Sequence, residues 1–151
     1  MPDEMTEILD TAIYKEIASE AVYTAAQEKT QDPGAKALMK ELAGEEKKHA
    51  QWLKNFKGKG LVEQDWHPEK VQDLKISDYL TGGDSLEGAG LQDTLIFAMK
   101  REQQAAEFYS QMMSVMRGKD AKLLCQRLAQ EELKHKLKLE TLYDDLFYTE
   151  D

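Results

Sequence analysis

The strongest constraint on this chain is that it repeats itself. Displaced by 86 residues without a gap, Glu16 falls on Glu102, Tyr23 on Tyr109 and Ala35-Lys36 on Ala121-Lys122. At the same offset Leu42-Ala43 falls on Leu128-Ala129, Glu45-Glu46 on Glu131-Glu132, and His49 on His135. Amphipathic periodicity aligns leucines and alanines by itself, but it does not align a Glu-x-x-His phrase. Two of the three histidines stand in that phrase. A duplicated unit of this length is one supersecondary element that buries its apolar face against its twin.

Each unit reads as a helical hairpin. Apolar residues at Ile8, Leu9, Ala12, Ile13, Ile17, Ala21 and Val22 recur at intervals of three and four, which predicts a helix over about Met5 to Lys29 with that stripe inward. Asp32-Pro33-Gly34 supplies a turn, Asp32 being suited to cap the next helix and Pro33 to open it. That second helix is expected from about Gly34 to Phe56, with Gly58 and Gly60 ending it. Helical periodicity resumes over Leu91 to Met116, breaks at Gly118, and returns from Ala121 to about Phe147. Between the hairpins the pattern changes to a Gly-containing stretch with one short apolar piece, Leu74 to Leu80, as expected of a long connection with a helical turn or two. The fold class expected is all-α: one domain, a four-helix bundle built from hairpin 1 (about 5–57), a crossover (58–90) and hairpin 2 (about 91–147).

Composition excludes several functions. A net charge of −9 argues against a nucleic-acid partner, which needs a concentrated basic patch. The basic run Lys54 to Lys59 sits at a predicted helix end, where cations complement the dipole. A single cysteine, Cys125, permits neither an internal disulfide nor a CxxC metal ribbon, and its leucine neighbours predict a buried thiol. The acidic N-terminus has no secretory pattern and no stretch matches a membrane span, so a cytoplasmic protein is expected. His67 falls in the crossover outside the repeat, and Met112, Met113 and Met116 read as core filler.

The chemistry lies in the repeated phrase. Residues i and i+3 share a helix face, so Glu46 with His49, and Glu132 with His135, each project together. Leu42, Leu53, Leu128 and Leu139, one turn away, place both pairs on the inward stripe. Glu16 and Glu102 stand 30 residues before Glu46 and Glu132 among apolar neighbours. Four carboxylates in a bundle interior persist only if paired, protonated or bound to cations. Two divalent ions balance them, and two imidazoles complete the set. Crowded carboxylates in an apo site are expected to have raised pKa values. Glu20 and Glu107 lack symmetric counterparts and rank below Glu16 and Glu102; Glu45 and Glu131 repeat but point away and suit lysine partners on the helix surface. Tyr23 and Tyr109, seven residues after Glu16 and Glu102, share the inward face and are positioned to hydrogen-bond carboxylates across the bundle.

These phrases, Glu16…Val22-Tyr23…Leu42-Ala43-Gly44-Glu45-Glu46-Lys47-Lys48-His49 and Glu102…Phe108-Tyr109…Leu128-Ala129-Gln130-Glu131-Glu132-Leu133-Lys134-His135, resemble those of the rubrerythrin-like branch of the ferritin-like di-iron carboxylate superfamily. The resemblance implies a ferritin-like bundle with two irons, bridged by Glu46 and Glu132, with Glu16 and Glu102 as terminal ligands and one histidine on each iron. It also implies a homodimer and an oxidoreductase acting on peroxide or O2. Two departures stand out. Full rubrerythrins carry a four-cysteine rubredoxin-type domain, which one cysteine cannot build, so an external electron donor such as a rubredoxin-type protein is expected. They also carry a carboxylate one turn after the helix 3 glutamate, where this chain has Ala105. Manganese or zinc in place of iron, a ferroxidase of the iron-storage kind, and a structural metal bundle are the alternatives.

Overall fold

The computed structural model describes residues 4–59, 71–75 and 90–147. They form four helices: α1 (Glu4–Lys29), α2 (Pro33–Lys59), α3 (Leu91–Val115) and α4 (Lys119–Phe147). The short breaks between α1 and α2 and between α3 and α4 make two antiparallel hairpins, α1 against α2 and α3 against α4. The hairpins meet through α2 against α4 and α1 against α3. Among the described residues there is no strand, and no helix is long and apolar enough to cross a membrane.

Local chemistry explains the turns. Pro33 opens α2, and the Asp32 carboxylate accepts the Ala35 N–H at 2.9 Å, closing the helix start. At the second turn Gly118 has φ +93°, a left-handed conformation that a side chain would strain. The expected end of α2 near Phe56 is corrected: α2 continues through Gly58 to Lys59, because a glycine in a final turn costs helix propensity without breaking the hydrogen-bond ladder. His67, Gly60 and most of the apolar piece Leu74 to Leu80 lie outside the described residues. The part described, 71–75, is not helical.

The inward face of α1 also differs from the expected stripe. It carries Leu9, Ala12, Glu16, Ser19, Tyr23 and Ala26, whereas Ile17 and Ala21 are exposed. Ile17 follows Glu16 by one residue, about 100° round the helix. A carboxylate thus occupies the inward position that hydrophobicity alone assigns to isoleucine.

Two apolar layers sandwich the middle of the bundle. One joins Leu9, Ala12, Leu53, Tyr109, Met112, Met116, Leu124, Cys125 and Leu128, and the other joins Tyr23, Met39, Leu42, Leu95, Met99, Leu139 and Tyr143. Residues early in α1 share a layer with residues late in α3, and the reverse holds in the other layer, so these helices run antiparallel, as the pseudo-two-fold repeat requires. Met112 and Met116 fill core space, and burial pushes the Cys125 thiol up to about 11, leaving it protonated and inert.

One buried charge cluster breaks the repeat. Lys136 and Glu140, one turn apart on α4, are both buried, with Nζ 3.5 Å from Glu140 Oε2. Lys136 Nζ also donates to Asp73 at 2.5 Å, and Glu140 Oε1 accepts the Leu74 N–H at 3.2 Å, so the cluster fastens the crossover to α4. The repeat places Ala50 opposite Lys136 and Lys54 opposite Glu140, so hairpin 1 has no equivalent. Removing one member of a buried ion pair strands its partner's charge. Lys136→Met should therefore lower stability by about 3 kcal/mol and the melting temperature by ~6–12 °C. Lys136→Met with Glu140→Leu should recover most of that loss. Thermal unfolding of the two variants checks both outcomes.

Candidate metal centre

Between the apolar layers lie six buried ionisable side chains. Glu16 comes from α1, Glu46 and His49 from α2, Glu102 from α3, and Glu132 and His135 from α4, each no more than 2% exposed. The helix period brings Glu46 and His49 to one face of α2, and Glu132 and His135 to one face of α4. The hairpin packing then points all six at one another.

The two-fold relation shows in the distances. His49 Nδ1 lies 2.9 Å from Glu132 Oε1, and His135 Nδ1 lies 2.8 Å from Glu46 Oε1. Each Nδ1 also stands 3.6 Å from the first-helix glutamate of its own hairpin, Glu16 or Glu102. The rings stack 5.3 Å apart and 5° from parallel. Despite this proximity, both Nδ1 atoms, both Glu46 oxygens, Glu16 Oε2, Glu102 Oε2 and Glu132 Oε1 have no hydrogen-bond partner. The atoms converge in distance but not in hydrogen-bond alignment. Buried polar atoms left this way are costly, and bound cations would satisfy them.

Donor atoms fall into two overlapping groups, each within 4.8 Å: Glu16, Glu46, His49 and Glu132 in one, and Glu46, Glu102, Glu132 and His135 in the other. Glu46 and Glu132 belong to both. Hard carboxylates with one imidazole per group suit iron, manganese or zinc, so the residues fit a bound metal.

The tyrosines lock the outer oxygens. Tyr23 on α1 donates its hydroxyl proton to Glu102 on α3, and Tyr109 on α3 donates to Glu16 on α1. Burial and the neighbouring carboxylates push both phenol pKa values well above the ordinary value, so the hydroxyls stay protonated donors. Glu20 and Glu107 stand apart from these groups; Glu107 is exposed and accepts from Gln103 at 2.9 Å. Glu45 and Glu131 pair with Lys48 and Lys134 at helical spacing, 3.8 and 3.9 Å. Sequence reasoning missed Trp52, whose ring lies 5.1 Å from His49 and carries the Arg127 guanidinium at 4.0 Å, covering one side of the site. It also missed Lys136. The available signal was a lysine replacing Ala50 of the repeat at an inward position.

The expectation of raised carboxyl pKa values needs one correction. Burial first, then repulsion from the other glutamates, pushes Glu46 and Glu132 well above the ordinary range. Glu16 moves the other way. Burial pushes it upward but is outweighed by contacts with His49, Glu46 and Tyr109 and by attraction to His49, leaving it lowered. For His49, burial opposes the charged form but the Glu16, Glu46 and Glu131 carboxylates outweigh it, raising its pKa. Raised folded pKa values at Glu46, Glu132 and His49 give stability that is present below the unfolded values and lost as pH climbs through the folded ones. Glu16, whose value is lowered, contributes stability that is already complete above its unfolded value and is lost only at lower pH. The metal-free protein should therefore lose stability between about pH 5 and pH 8. Glu46→Gln or Glu132→Gln should raise the melting temperature in chelator by ~3 °C or more, and by more at pH 8 than at pH 5. Thermal unfolding at both pH values checks this; variants no more stable than wild type at either value would contradict it.

Comparison with known proteins agrees with this architecture. A search of curated proteins found no match. A solved hypothetical protein from Pyrococcus furiosus is 29% identical, with a TM-score of 0.68 over 94% of this chain and 89% of its own. The family model described as Rubrerythrin matches residues 7–143, a span that takes in both hairpins and all six buried ionisable groups, and the chain belongs to the rubrerythrin family.

Proposed function

We propose that this chain is a di-iron oxidoreductase that reduces peroxide or O2 with electrons from a rubredoxin-type donor outside the four-helix unit. The observation that carries this reading is the pair of overlapping donor groups sharing Glu46 and Glu132. In it, Glu16 and His49 would hold one ion, Glu102 and His135 the other, and Glu46 and Glu132 both. Iron held there supplies redox equivalents and a Lewis-acidic position for the oxidant. Four protein donors per ion are fewer than an octahedral shell accommodates, which leaves room for a small molecule.

The chain's own residues set the conditions for that chemistry. Tyr23 and Tyr109 fix one oxygen each of Glu102 and Glu16, leaving the unpartnered Oε2 atoms to face inward. Because each tyrosine reaches from one hairpin to the other, they also hold the two half-sites in register. Leu42, Leu53, Leu128 and Leu139 close the interior above and below, which strengthens electrostatic contacts by excluding water. Ala105 leaves the helix 3 position without an extra carboxylate, so this centre works with four glutamates alone.

Metal analysis of protein purified from iron-supplemented cells should return about two ions per chain, with His49→Ala and His135→Ala each losing part of that content. Anaerobically reduced protein given O2 or peroxide should gain near-ultraviolet absorbance within seconds, while zinc-loaded protein should not. Negligible metal in folded protein would overturn the reading. Reduced iron-loaded protein that stays colourless with both oxidants would make the metal structural.

A further inference from the structure

A third group of donors lies beside the buried centre. Glu45, His49, Glu131 and His135 each bring one ligand atom to within 4.8 Å of the others. Glu45 and Glu131 are the half-buried partners of the lysine pairs described above, their side chains 32% and 17% exposed, so they reach from solvent to the interior. Both imidazoles turn Nδ1 toward the inner carboxylates. The two ring nitrogens point in diverging directions, so Nε2 is the nitrogen left for the outer carboxylates. His49 is fully buried, and its Nε2 has no hydrogen-bond partner. Donor atoms at such separations surround an ion with bonds of about 2.0–2.3 Å.

We propose that Glu45 and Glu131, with the Nε2 atoms of His49 and His135, form an outer divalent-cation site that receives ions on their way to the buried pair. The inference rests on the reading that the inner residues bind metal. It answers a physical need, because the inner ligands are buried on every side and an ion must shed water to reach them. Lys48 and Lys134 hold the outer carboxylates only at 3.8 and 3.9 Å, contacts that cost little to exchange for a divalent cation.

The test is stopped-flow uptake of Co2+ by chelator-treated full-length protein, followed by its visible absorbance. Glu45→Gln with Glu131→Gln should reach the wild-type Co2+ content, which also reports an intact fold, but load about tenfold more slowly or worse. Glu28→Gln with Glu107→Gln removes two exposed carboxylates elsewhere and should load at the wild-type rate. Equal rates in wild type and the Glu45/Glu131 variant would overturn the proposal, as would equal slowing in the control, which would reveal a general charge effect. A lower final Co2+ content at an unchanged rate would overturn it in favour of Glu45 and Glu131 merely orienting the histidines. Failure of wild-type protein to take up Co2+ at all would remove the inner centre and this site with it.

Discussion

Everything in this molecule is arranged around an electrostatic problem, namely four glutamates and two histidines confined to one dry layer of a helical bundle. Isolated, such charges would cost several kcal/mol each and drive the hairpins apart. Here the cost is met locally. Tyrosines satisfy one oxygen on each of Glu16 and Glu102, the imidazoles stand against Glu46 and Glu132, and the atoms left over point at common centres. Both histidine contacts of about 2.8–2.9 Å cross from α2 to α4, and both tyrosine bonds cross between α1 and α3. The polar layer is therefore the specific junction between hairpins, and the apolar layers on either side supply the unspecific attraction.

A junction of this kind trades stability for binding. Raised pKa values at Glu46 and Glu132 mean that burial and mutual repulsion resist ionisation of these carboxyls in the metal-free state. A cation removes the resistance, so the energy stored in crowding is returned as affinity. Glu16 departs from the pattern because it sits beside His49 and Tyr109, and its lowered pKa makes it the carboxylate most readily available in the empty site.

The described crossover residues, 71–75, have no counterpart in the repeat, and charge ties them to α4. Lys136, buried next to His135 in sequence, reaches Asp73, while Glu140 takes the Leu74 backbone N–H. At Lys75 the chain turns through a positive φ of 55°, with its N–H bonded to Asp73 at 2.9 Å. This fastening lies one helical turn from the centre on α4, so the long connection is anchored to the helix that carries Glu132 and His135.

The gapless repeat was legible because duplication copies residue identity, and identity survives in a sequence. Helix number, hairpin pairing and the phrase Glu-x-x-His follow from spacing alone, since residues three and four apart must share a face. For the same reason the six central side chains could be named from the order of residues. What spacing could not supply was the choice among faces and the contacts between distant segments. Ile17 looked inward by hydrophobicity, yet it is exposed, because α1 turns Glu16 toward Tyr109 on α3 and His49 on α2. Glu45 and Glu131 looked like surface partners of lysines, and they are, but only the approach of α2 to α4 brings both beside the histidine rings. The cluster of Lys136, Glu140 and Asp73 was equally silent, since its members are joined across 63 residues. Local periodicity is written along one chain segment, whereas burial, pairing and charge compensation depend on which segments meet, and that is decided only when the two hairpins pack.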